Sequence, residues 1–513
     1  MTDLQALAAR LAAIRGEILQ VEQALSAVPD DAEPVVGGVL KYTGVISRAG
    51  NRLSNGTATG ILVGCNMSGM EDSAIGGFAD WSFDGGVPNW AAYATWKPNS
   101  VRIPLNAASF LGLTCGITAS QPITFKSIPG ATSGALTAPW LLPTGLYPIA
   151  FNGNDRPYAL GSFTKGFTTV SWPTLTHVAP SVNAVAAYWG GVTVAADPKG
   201  TYRSSVKAAI DAARAIGCYV ILDLHWCRPK LTLGGVTRPL LAKGQPAFAD
   251  ADTAIAFWQA LVGWLRATYG DAGYADLVFE LFNEPYLNMG PGALTTTRGG
   301  TAPVSADAAL LIGGFGSAVV NESQGGMNWA LAHPWRLAGY QEVLDAIRNA
   351  GATNLCIVNG NTWAQELATA LTWKPKDALG QVAFGWHPYP HGTYPYADGD
   401  VYPKTGNDAG NGTLAAVQWA EKLLAAGECV LCTEDGGFGG ASATAGEHHL
   451  TYMNAWAAER GVSRILWQWN SPRVHGIAGC DNYLTVLDVD GKTVLPLQGC
   501  GQVTFDFFRA RAV

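Results

Sequence analysis

The chain reads Leu277-Val278-Phe279-Glu280-Leu281-Phe282-Asn283-Glu284-Pro285 just past its middle. The apolar residues of this run predict a buried strand, and the amide, acid and proline that follow predict where that strand ends. We therefore expect Glu284 at the mouth of a strand. A second run, residues 428–437, also closes a short apolar stretch with an acid, Glu434, before Asp435 and two glycines.

Short apolar runs alternate with longer helical patterns from residue 60 onward, which is the rhythm of parallel strands joined by crossover helices. We predict strands at residues 61–65, 100–104, 218–224, 277–282, 354–358, 382–386, 429–433 and 464–469, and helices at residues 202–216, 253–269, 336–350, 414–426 and 446–460. Eight such units predict an α/β fold, a closed (β/α)8 TIM barrel with enlarged βα loops. The notable polar residues fall at the C-terminal ends of the strands, where such barrels carry their active sites.

Two carboxyl groups on two strand ends of one barrel suit one kind of chemistry. One can protonate a glycosidic oxygen while the other attacks the anomeric carbon. Insertions at residues 107–196 and 286–333 leave the same end of the barrel and can wall a substrate groove. The first is rich in aromatic residues: Trp140, Tyr147, Tyr158, Trp172, Tyr188 and Trp189. Residues 484–497 predict a C-terminal hairpin, so the catalytic domain is expected to span residues 58–513.

The bulk composition narrows the class of protein. Hydrophobic residues make up 48% of the chain and charged residues 14%, which favours an extensive core. The net charge is -7 and no run of lysine and arginine stands out, so neither nucleic acid nor an anionic membrane is an expected partner. The sequence shows no apolar stretch of membrane-spanning length, and acidic and basic residues interrupt the N-terminus, which does not resemble a secretory signal peptide.

The nine cysteines show no spacing typical of a metal site, and no metal or cofactor is predicted. Cys480 and Cys500 bracket the predicted hairpin and could form a disulfide. A calcium ion in the acidic loop at residues 398–400 is an alternative that we do not favour.

The N-terminal segment carries an apolar seam in alternating steps of three and four over residues 1–28, and residues 29–57 form a linker that leads into the catalytic domain. One interpretation is a coiled coil that joins copies of the chain through residues 4–28; the other is a helix that docks on its own catalytic domain. In a parallel dimer Arg10 would face Arg15 and Glu17 would face Glu22, which argues against that arrangement. The seam consists of Leu4, Leu7, Leu11, Ile14, Ile18, Val21, Leu25 and Val28.

Ordered motifs along the chain resemble glycoside hydrolase family 5, the cellulase-type members of the retaining (β/α)8 clan. The resemblance covers residues 58–475. It rests on GILVGCNMSGME (60–71), NSVRIPLN (99–106), YVILDLHW (219–226), VFELFNEP (278–285), FGWHPYP (384–390), VLCTEDGG (430–437) and ILWQWN (465–470).

The resemblance implies a role for each matching residue. Glu284 corresponds to the general acid/base and Glu434 to the nucleophile, for which the carboxyl groups should lie about 5.5 Å apart. Glu284 should have a raised pKa, and Glu434 should stay ionised with donors around it. The resemblance places the remaining residues around these two: Arg102 and Tyr389 as donors to Glu434, Asn283 on the 2-hydroxyl of the sugar, His225 and His387 in the cavity, and Trp467 or Trp469 as the sugar platform.

Several polar residues have a structural interpretation instead. Glu280 shares strand parity with Glu284 and is expected to pair with an internal arginine, and the same holds for Asp223. Asp435 competes with Glu434 for the nucleophile's role, but Glu434 occupies the family position. His448 and His449 lie on a predicted helix and are expected to be a solvated pair.

The sequence therefore predicts a retaining β-glycan hydrolase, with endo-β-1,4-glucanase (cellulase) activity first and β-mannanase or another β-glycanase as the alternative. The ninety-residue insertion after Arg102 and the Trp226-Cys227 pair leave the substrate and the endo or exo mode open. A barrel that binds carbohydrate without cleaving it is the alternative of another class. A polysaccharide-degrading component of a viral particle is a further one, and we expect an extracellular, particle-associated or surface-associated location.

Overall fold

A computed structural model gives the structure of the chain. It describes residues 38–71, 87–119, 145–151, 154–163, 189–197, 200–227, 230–233, 236–239, 248–286, 297–298, 302–303, 311, 319–321, 334–367, 369–389, 412–436, 443–469 and 499–511. The predicted N-terminal helix, the hairpin at 484–497, the acidic loop at 398–400 and Cys480 lie outside the described residues. The coiled coil, the disulfide and the calcium site therefore stay untested.

Eight parallel strands form a closed barrel in chain order, with β8 pairing to β1. All eight predicted strands are confirmed, with ends that differ by a few residues. The strands are β1 (Val63–Asn66), β2 (Ser100–Asn106), β3 (Tyr219–Trp226), β4 (Val278–Glu280), β5 (Cys356–Asn359), β6 (Val382–Trp386), β7 (Val430–Cys432) and β8 (Ser463–Leu466).

Helices cover the outside of the barrel, and the five predicted helices are all present among them. They are α1 (Trp90–Thr95), α2 (Ala107–Leu111), α3 (Tyr202–Ala215), α4 (Thr253–Tyr269), α5 (Tyr340–Asn349), α6 (Ala370–Trp373), α7 (Gly412–Ala425), α8 (Ala443–Arg460) and α9 (Gly499–Arg511), with a 3-10 turn at Ala272–Tyr274.

The core lies between the barrel and this helical layer. Strands of a parallel barrel are covered on both faces, which is why their sequences are continuously apolar; every residue of β2 and β3 is buried. Helix α3 shows the matching pattern, burying Val206, Ile210 and Ala213 on one face. None of the described helices is long and apolar enough to cross a membrane.

A three-stranded antiparallel sheet, here called the floor sheet, closes the N-terminal end of the barrel. Its strands are Ser47–Ala49, Arg52–Ser54 and Thr59–Gly60. Arg48 fixes this sheet to the start of two barrel strands, since its guanidinium donates to the carbonyls of Val382 (3.1 Å) and Gly427 (2.8 Å). Beneath the sheet lies an apolar cluster of Leu40, Ile46, Leu53, Leu62, Tyr219, Ile221, Val278, Leu355, Ile357, Ala383, Cys429, Leu431 and Ile465.

The two insertions contain short antiparallel pairs. In the first, Thr114–Ala119 pairs with Trp189–Ala195 and Gly145–Phe151 with Asn154–Phe163. In the second, Thr297–Arg298 pairs with Ala302–Pro303, and Val319–Asn321 with Pro334–Arg336. Lys230–Leu233 and Val236–Pro239 form a further pair after β3.

Candidate active site

Glu284 and Glu434 meet at the C-terminal end of the barrel, as the sequence predicts. Glu284 follows β4 and is half-buried, whereas Glu434 follows β7 and is 6% exposed. One carboxylate oxygen of each lies within 4.8 Å of the other, and a ring nitrogen of His387 lies within the same distance of both. The two acids can therefore reach one sugar ring.

Two donors hold the Glu434 carboxylate from opposite sides. Arg102 Nη1 donates to Oε2 at 2.9 Å, and the Tyr389 hydroxyl donates to Oε1 at 3.0 Å. Both contacts agree with the places that the family resemblance implies. Because each oxygen has its own donor, the carboxylate has a fixed orientation toward the cavity.

The pKa of Glu434 nevertheless lies above that of an ordinary glutamate. Burial raises it and so does the charge of Glu284, while His387 and Arg102 lower it. The expectation that Glu434 stays ionised with donors around it is therefore only partly met: the donors are present, but burial and Glu284 outweigh them.

His387 connects the acid/base candidate to the interior of the barrel. Its Nδ1 lies 3.0 Å from Glu284 Oε1, and its Nε2 lies 3.1 Å from Thr433 Oγ1. Burial alone would lower the pKa of His387, but the charges of Glu434, Glu280 and Glu284 raise it to about 9. At neutral pH the imidazole is therefore protonated and can donate to Glu284.

Arg102 is shared among three carboxylates. Besides Glu434, its Nε donates to Glu280 Oε2 at 2.6 Å, and its Nη2 lies 3.0 Å from Asp223 Oδ2. The predicted structural roles of Glu280 and Asp223 are thus confirmed. Burial would raise the pKa of Glu280, but Arg102 and His387 bring it down to about 2, so this buried acid stays ionised.

Asn283 and His225 are oriented by the same network. Arg102 Nη2 donates to Asn283 Oδ1 at 2.7 Å, and Asn283 Nδ2 lies 3.4 Å from His225 Nε2. Burial lowers the pKa of His225 to about 3, so its ring is neutral, and its Nδ1 donates to Asp223 Oδ2 at 2.8 Å. The amide of Asn283 is fixed at both ends next to the acid/base candidate.

Comparison with known proteins now identifies the family. The profile of the family Cellulase (glycosyl hydrolase family 5) matches residues 164–472, more than half of the chain and including both Glu284 and Glu434. The chain belongs to glycosyl hydrolase family 5. It is accordingly a glycoside hydrolase. The match begins after β2, so Arg102 lies outside it; its place in this family 5 site follows from its contacts with Glu434 and Asn283.

The solved structures to which the chain is similar include an endocellulase and a β-mannanase. An endocellulase from the archaeon Pyrococcus horikoshii is 15% identical, with 92% of this chain and 100% of that chain covered and a TM-score of 0.46. A β-mannanase from Streptomyces thermolilacinus, solved with mannohexaose, is 15% identical, with 90% and 93% covered and a TM-score of 0.43. No curated protein sequence matches the chain.

The structure distinguishes the two tryptophans that the sequence leaves open. Trp469 is 1% exposed and packs edge-on against Tyr93 and Trp96, with ring centroids 4.8 and 5.0 Å apart, so it is part of the core. Trp467 is half-buried and stacks on His225 at 5.6 Å and 16°. Strand β8 ends at Leu466, so strand alternation does not govern either residue. In this family 5 hydrolase Trp467 is the candidate platform.

Three supporting residues of the family 5 site are missed by the sequence analysis. Asn359 Nδ2 donates to Glu280 Oε1 at 2.6 Å, Thr433 Oγ1 donates to the same oxygen at 2.8 Å, and Asn66 Oδ1 accepts from Arg102 Nη1 at 2.7 Å. All three residues end a barrel strand or follow one directly. A polar residue at such a position is the feature of the sequence that could have identified them. Gly385 leaves the space that Asn359 occupies, since a Cβ there would lie 1.6 Å from Asn359 Oδ1.

A left-handed turn after β5 is also missed. Thr362, Trp363 and Ala364 have φ angles of 58°, 54° and 58°, a region that residues other than glycine seldom adopt. The turn bonds to both halves of the site: Trp363 N donates to Pro285 O at 2.7 Å, and His387 N donates to Ala364 O at 2.9 Å. The Trp363 ring is half-buried and stacks on Tyr286, beside the acid/base candidate.

The interpretation of His448 and His449 as a solvated pair is wrong for His449. That ring is 0% exposed and its Nε2 lies 2.9 Å from Asp435 Oδ1. Helix α8 packs against β8 and α9, and the face that carries His449 turns inward. His448, on the next position, is half-buried.

Glu284, His387 and Glu434 are also close enough to surround a metal ion. Their hydrogen bonds favour proton chemistry instead. His387 Nδ1 already points at Glu284, and the Arg102 guanidinium lies 2.9 Å from Glu434, where its charge would oppose a bound cation.

Proposed function

We propose that the protein is a retaining β-glycan endohydrolase, with β-1,4-glucan as the preferred substrate. The observation that carries the proposal is the separation of at most 4.8 Å between carboxylate oxygens of Glu284 and Glu434. Retaining enzymes need about 5 to 5.5 Å between the two carboxyl groups, whereas inverting enzymes need about 6.5 to 9.5 Å to admit a water molecule. The shorter spacing favours direct attack.

In the first step Glu434 attacks the anomeric carbon while Glu284 gives its proton to the glycosidic oxygen, and the leaving sugar departs. The enzyme then carries a glycosyl ester on Glu434. In the second step Glu284, now ionised, removes a proton from water, which attacks the anomeric carbon and releases Glu434. His387 would orient Glu284 in both steps, and Asn283 would hold the sugar 2-hydroxyl.

Aromatic surfaces support a β-linked sugar chain as the substrate. The C-H faces of such sugars pack on aromatic rings while the hydroxyls bond at the edges. Trp467 lies on the side of Glu434, and Trp363 lies on the side of Glu284. Glucan and mannan chains can both use such platforms, so β-mannan remains the second candidate substrate.

Azide rescue tests the assignment of the two glutamates. Glu434→Ala should lose at least a hundredfold in kcat on the best substrate, since the bond-forming group is gone. Azide placed in the vacated space should displace an activated leaving group and give an α-glycosyl azide. Glu284→Ala keeps the nucleophile, so azide should attack the glycosyl ester and give a β-glycosyl azide.

The control is Glu428→Gln, because Glu428 lies at the other end of β7 and pairs with Arg48 there. Its activity should match the wild type. A Glu434→Gln variant that keeps more than about a hundredth of the activity on every β-glycan tested would contradict the mechanism.

A panel of β-1,4-glucan, mannan, xylan, xyloglucan and mixed-linkage glucan would identify the substrate through the release of reducing ends. No release from any of them would favour the barrel that binds carbohydrate without cleaving it. Polymers of this size do not enter cells, so we further propose that the enzyme acts outside the cell or on a particle surface. Immunodetection in washed cell-surface fractions and purified particles would check that location.

A further inference from the structure

A second group of buried charges lies directly behind the candidate nucleophile. Asp435, His449 and Arg464, here called the Asp435 cluster, are each 0% exposed. His449 Nε2 donates to Asp435 Oδ1 at 2.9 Å, and Arg464 Nη1 donates to Asp435 Oδ2 at 2.6 Å. The three residues come from the end of β7, from helix α8 and from β8, so the cluster joins three elements.

The mechanism proposed above uses none of these side chains. The main chain of Asp435 nevertheless contacts two residues that the mechanism does use, Glu434 and Trp467. Asp435 follows Glu434 directly, and its carbonyl oxygen accepts a hydrogen bond of 2.6 Å from the backbone N-H of Trp467. The residue therefore links the backbone of the nucleophile to the backbone of the sugar platform.

The side-chain contacts determine where that link sits. Asp435 Oδ1 also accepts from Gly436 N at 2.7 Å, and Arg464 is itself held by Asn454, whose Oδ1 accepts from Arg464 Nε at 3.2 Å. A buried carboxylate with donors on both oxygens has one orientation. Loss of a single donor leaves a buried charge partly unpaired and allows the main chain to shift.

The charge of Asp435 is balanced within the cluster itself. Burial would raise the pKa of Asp435, but His449 and Arg464 lower it below the ordinary value, so the acid is ionised. The groups that face it are His449 and Asn454 from α8, Arg464 from β8 and Cys432 from β7. Arg464 contributes the compensating positive charge.

We infer that the Asp435 cluster is a positioning device for catalysis: it holds the Glu434 carboxylate and the Trp467 indole at one fixed spacing. The inference rests on the proposed function of Glu434 and adds three residues that act through it without touching the substrate. Misplacement of a reacting group by about 1 Å can slow a reaction roughly a hundredfold. A partial displacement should therefore appear in kcat.

His449 offers a matched pair of variants. In His449→Gln the side-chain amide nitrogen can replace Nε2 and still donate to Asp435, whereas His449→Leu fills the same space without a donor. We expect His449→Leu to lower kcat about tenfold with little change in KM, and His449→Gln to restore most of it. His448→Leu, the same change one position earlier on α8, should match the wild type.

The substrate for this test carries a dinitrophenolate leaving group. Such a group departs without protonation, so the first step depends on Glu434 and no longer on Glu284. His449→Leu should slow the burst of dinitrophenolate by the same factor as the polysaccharide reaction. Equal bursts in His449→Leu and the wild type would overturn the inference, and so would a loss in His449→Leu that His449→Gln fails to restore.

A readout without substrate separates this inference from the proposed function. The protein can be labelled with 5-fluorotryptophan, and the 19F resonance of Trp467 can be assigned with Trp467→Phe. His449→Leu should shift that resonance, while His449→Gln and His448→Leu should not. If the wild type cleaves no glycan, the proposed function fails, but the resonance still shows whether the cluster positions Trp467. An unshifted resonance in His449→Leu overturns the inference. Should His449→Leu not fold, His449→Asn replaces it, because that amide is too short to reach Asp435.

Discussion

Strand β7 carries a glutamate near each end, and the protein holds the two in opposite ways. Glu428, at the floor end, is partly exposed and pairs with two cations, Arg48 at 2.9 Å and Lys374. Glu434, at the catalytic end, is buried and shares the Arg102 guanidinium with Glu280 and Asp223. One strand thus joins a site where two cations share one acid to a site where one guanidinium is shared among three acids.

The difference suggests that the two ends of the barrel serve different purposes, the floor end stability and the catalytic end activity. The floor combines an apolar cluster with ordinary ion pairs, and changes there should alter the free energy of unfolding. The catalytic end accepts buried like charges and a raised pKa at Glu434, which are costly for folding and useful for chemistry. Changes there should alter kcat first.

Outside the two catalytic glutamates, the largest expected effect follows from Gly385→Ala. The added Cβ would lie 1.6 Å from Asn359 Oδ1 and would push away the amide that holds Glu280. We expect activity to fall about a hundredfold and the free energy of unfolding by about 1 to 3 kcal/mol. Initial rates and urea unfolding measure both.

Gly263→Ala is the control for this change, because Gly263 lies on helix α4 with no atom within 4 Å of an added Cβ. It should leave the rate unchanged and raise stability by about 0.5 to 1 kcal/mol. A Gly385→Ala protein with wild-type kinetics would show that the Asn359–Glu280 contact does not support the site.

At the floor, Leu53→Ala should affect stability and not the rate. Leu53 is 2% exposed in the apolar cluster beneath the floor sheet. Its truncation should cost about 2 to 5 kcal/mol of unfolding free energy while kcat/KM at 25 °C stays within twofold. Val45→Ala, at a side chain that is 53% exposed, is the control and should be close to neutral. A fall in kcat/KM with Leu53→Ala would contradict the claim that the floor contributes to stability and not to activity.

The pH dependence of activity gives a third way to compare the two ends of β7. Glu434 must be ionised to attack, and its pKa is raised by burial and by Glu284. Activity should therefore be present above that raised pKa and be lost as the pH falls through it. The acid limb of kcat/KM should lie above about pH 4.3, the ordinary value for glutamate. Glu428→Gln should leave the limb in place, and a wild-type limb at or below that value would contradict the raised pKa.

The smallest kinetic effect is expected from removal of residues 1–28. We propose that the heptad seam at residues 4–28 joins copies of the chain. The described chain reaches the barrel on the floor side, where Val39 pairs with Ile61, away from Glu434. Light scattering should show a lower mass after the removal, with kcat/KM on a soluble substrate unchanged. A full-length monomer at micromolar concentration would contradict the proposal.

The sequence predicts the barrel well. Each barrel strand is buried on both faces, so it appears in the sequence as a continuous apolar run. The same runs end at Glu284 and Glu434, so the pair at the centre of the site follows from where the strands stop. The ends of β4 and β7 differ from the prediction by two residues or fewer, and neither difference moves a glutamate.

The supporting network is less visible in the sequence. Asn66, Asn359 and Thr433 are ordinary polar residues until the barrel closes and brings their strand ends together. The prediction for His449 is wrong because the sequence of a helix does not show which of its faces the neighbouring elements cover. The buried partner, Asp435, becomes visible only in the structure. Trp467 and Trp469 are two residues apart, but the end of β8 at Leu466 separates them in space.

The left-handed turn at residues 362–364 has a consequence for redesign of this enzyme. The turn forms hydrogen bonds with the loop that carries Glu284 and with the backbone of His387. Replacement of the segment after β5 would therefore also move the side chain that donates the proton, Glu284. Exchange of substrate preference by loop transplantation should therefore target the long insertions after β2 and β4 and spare this turn.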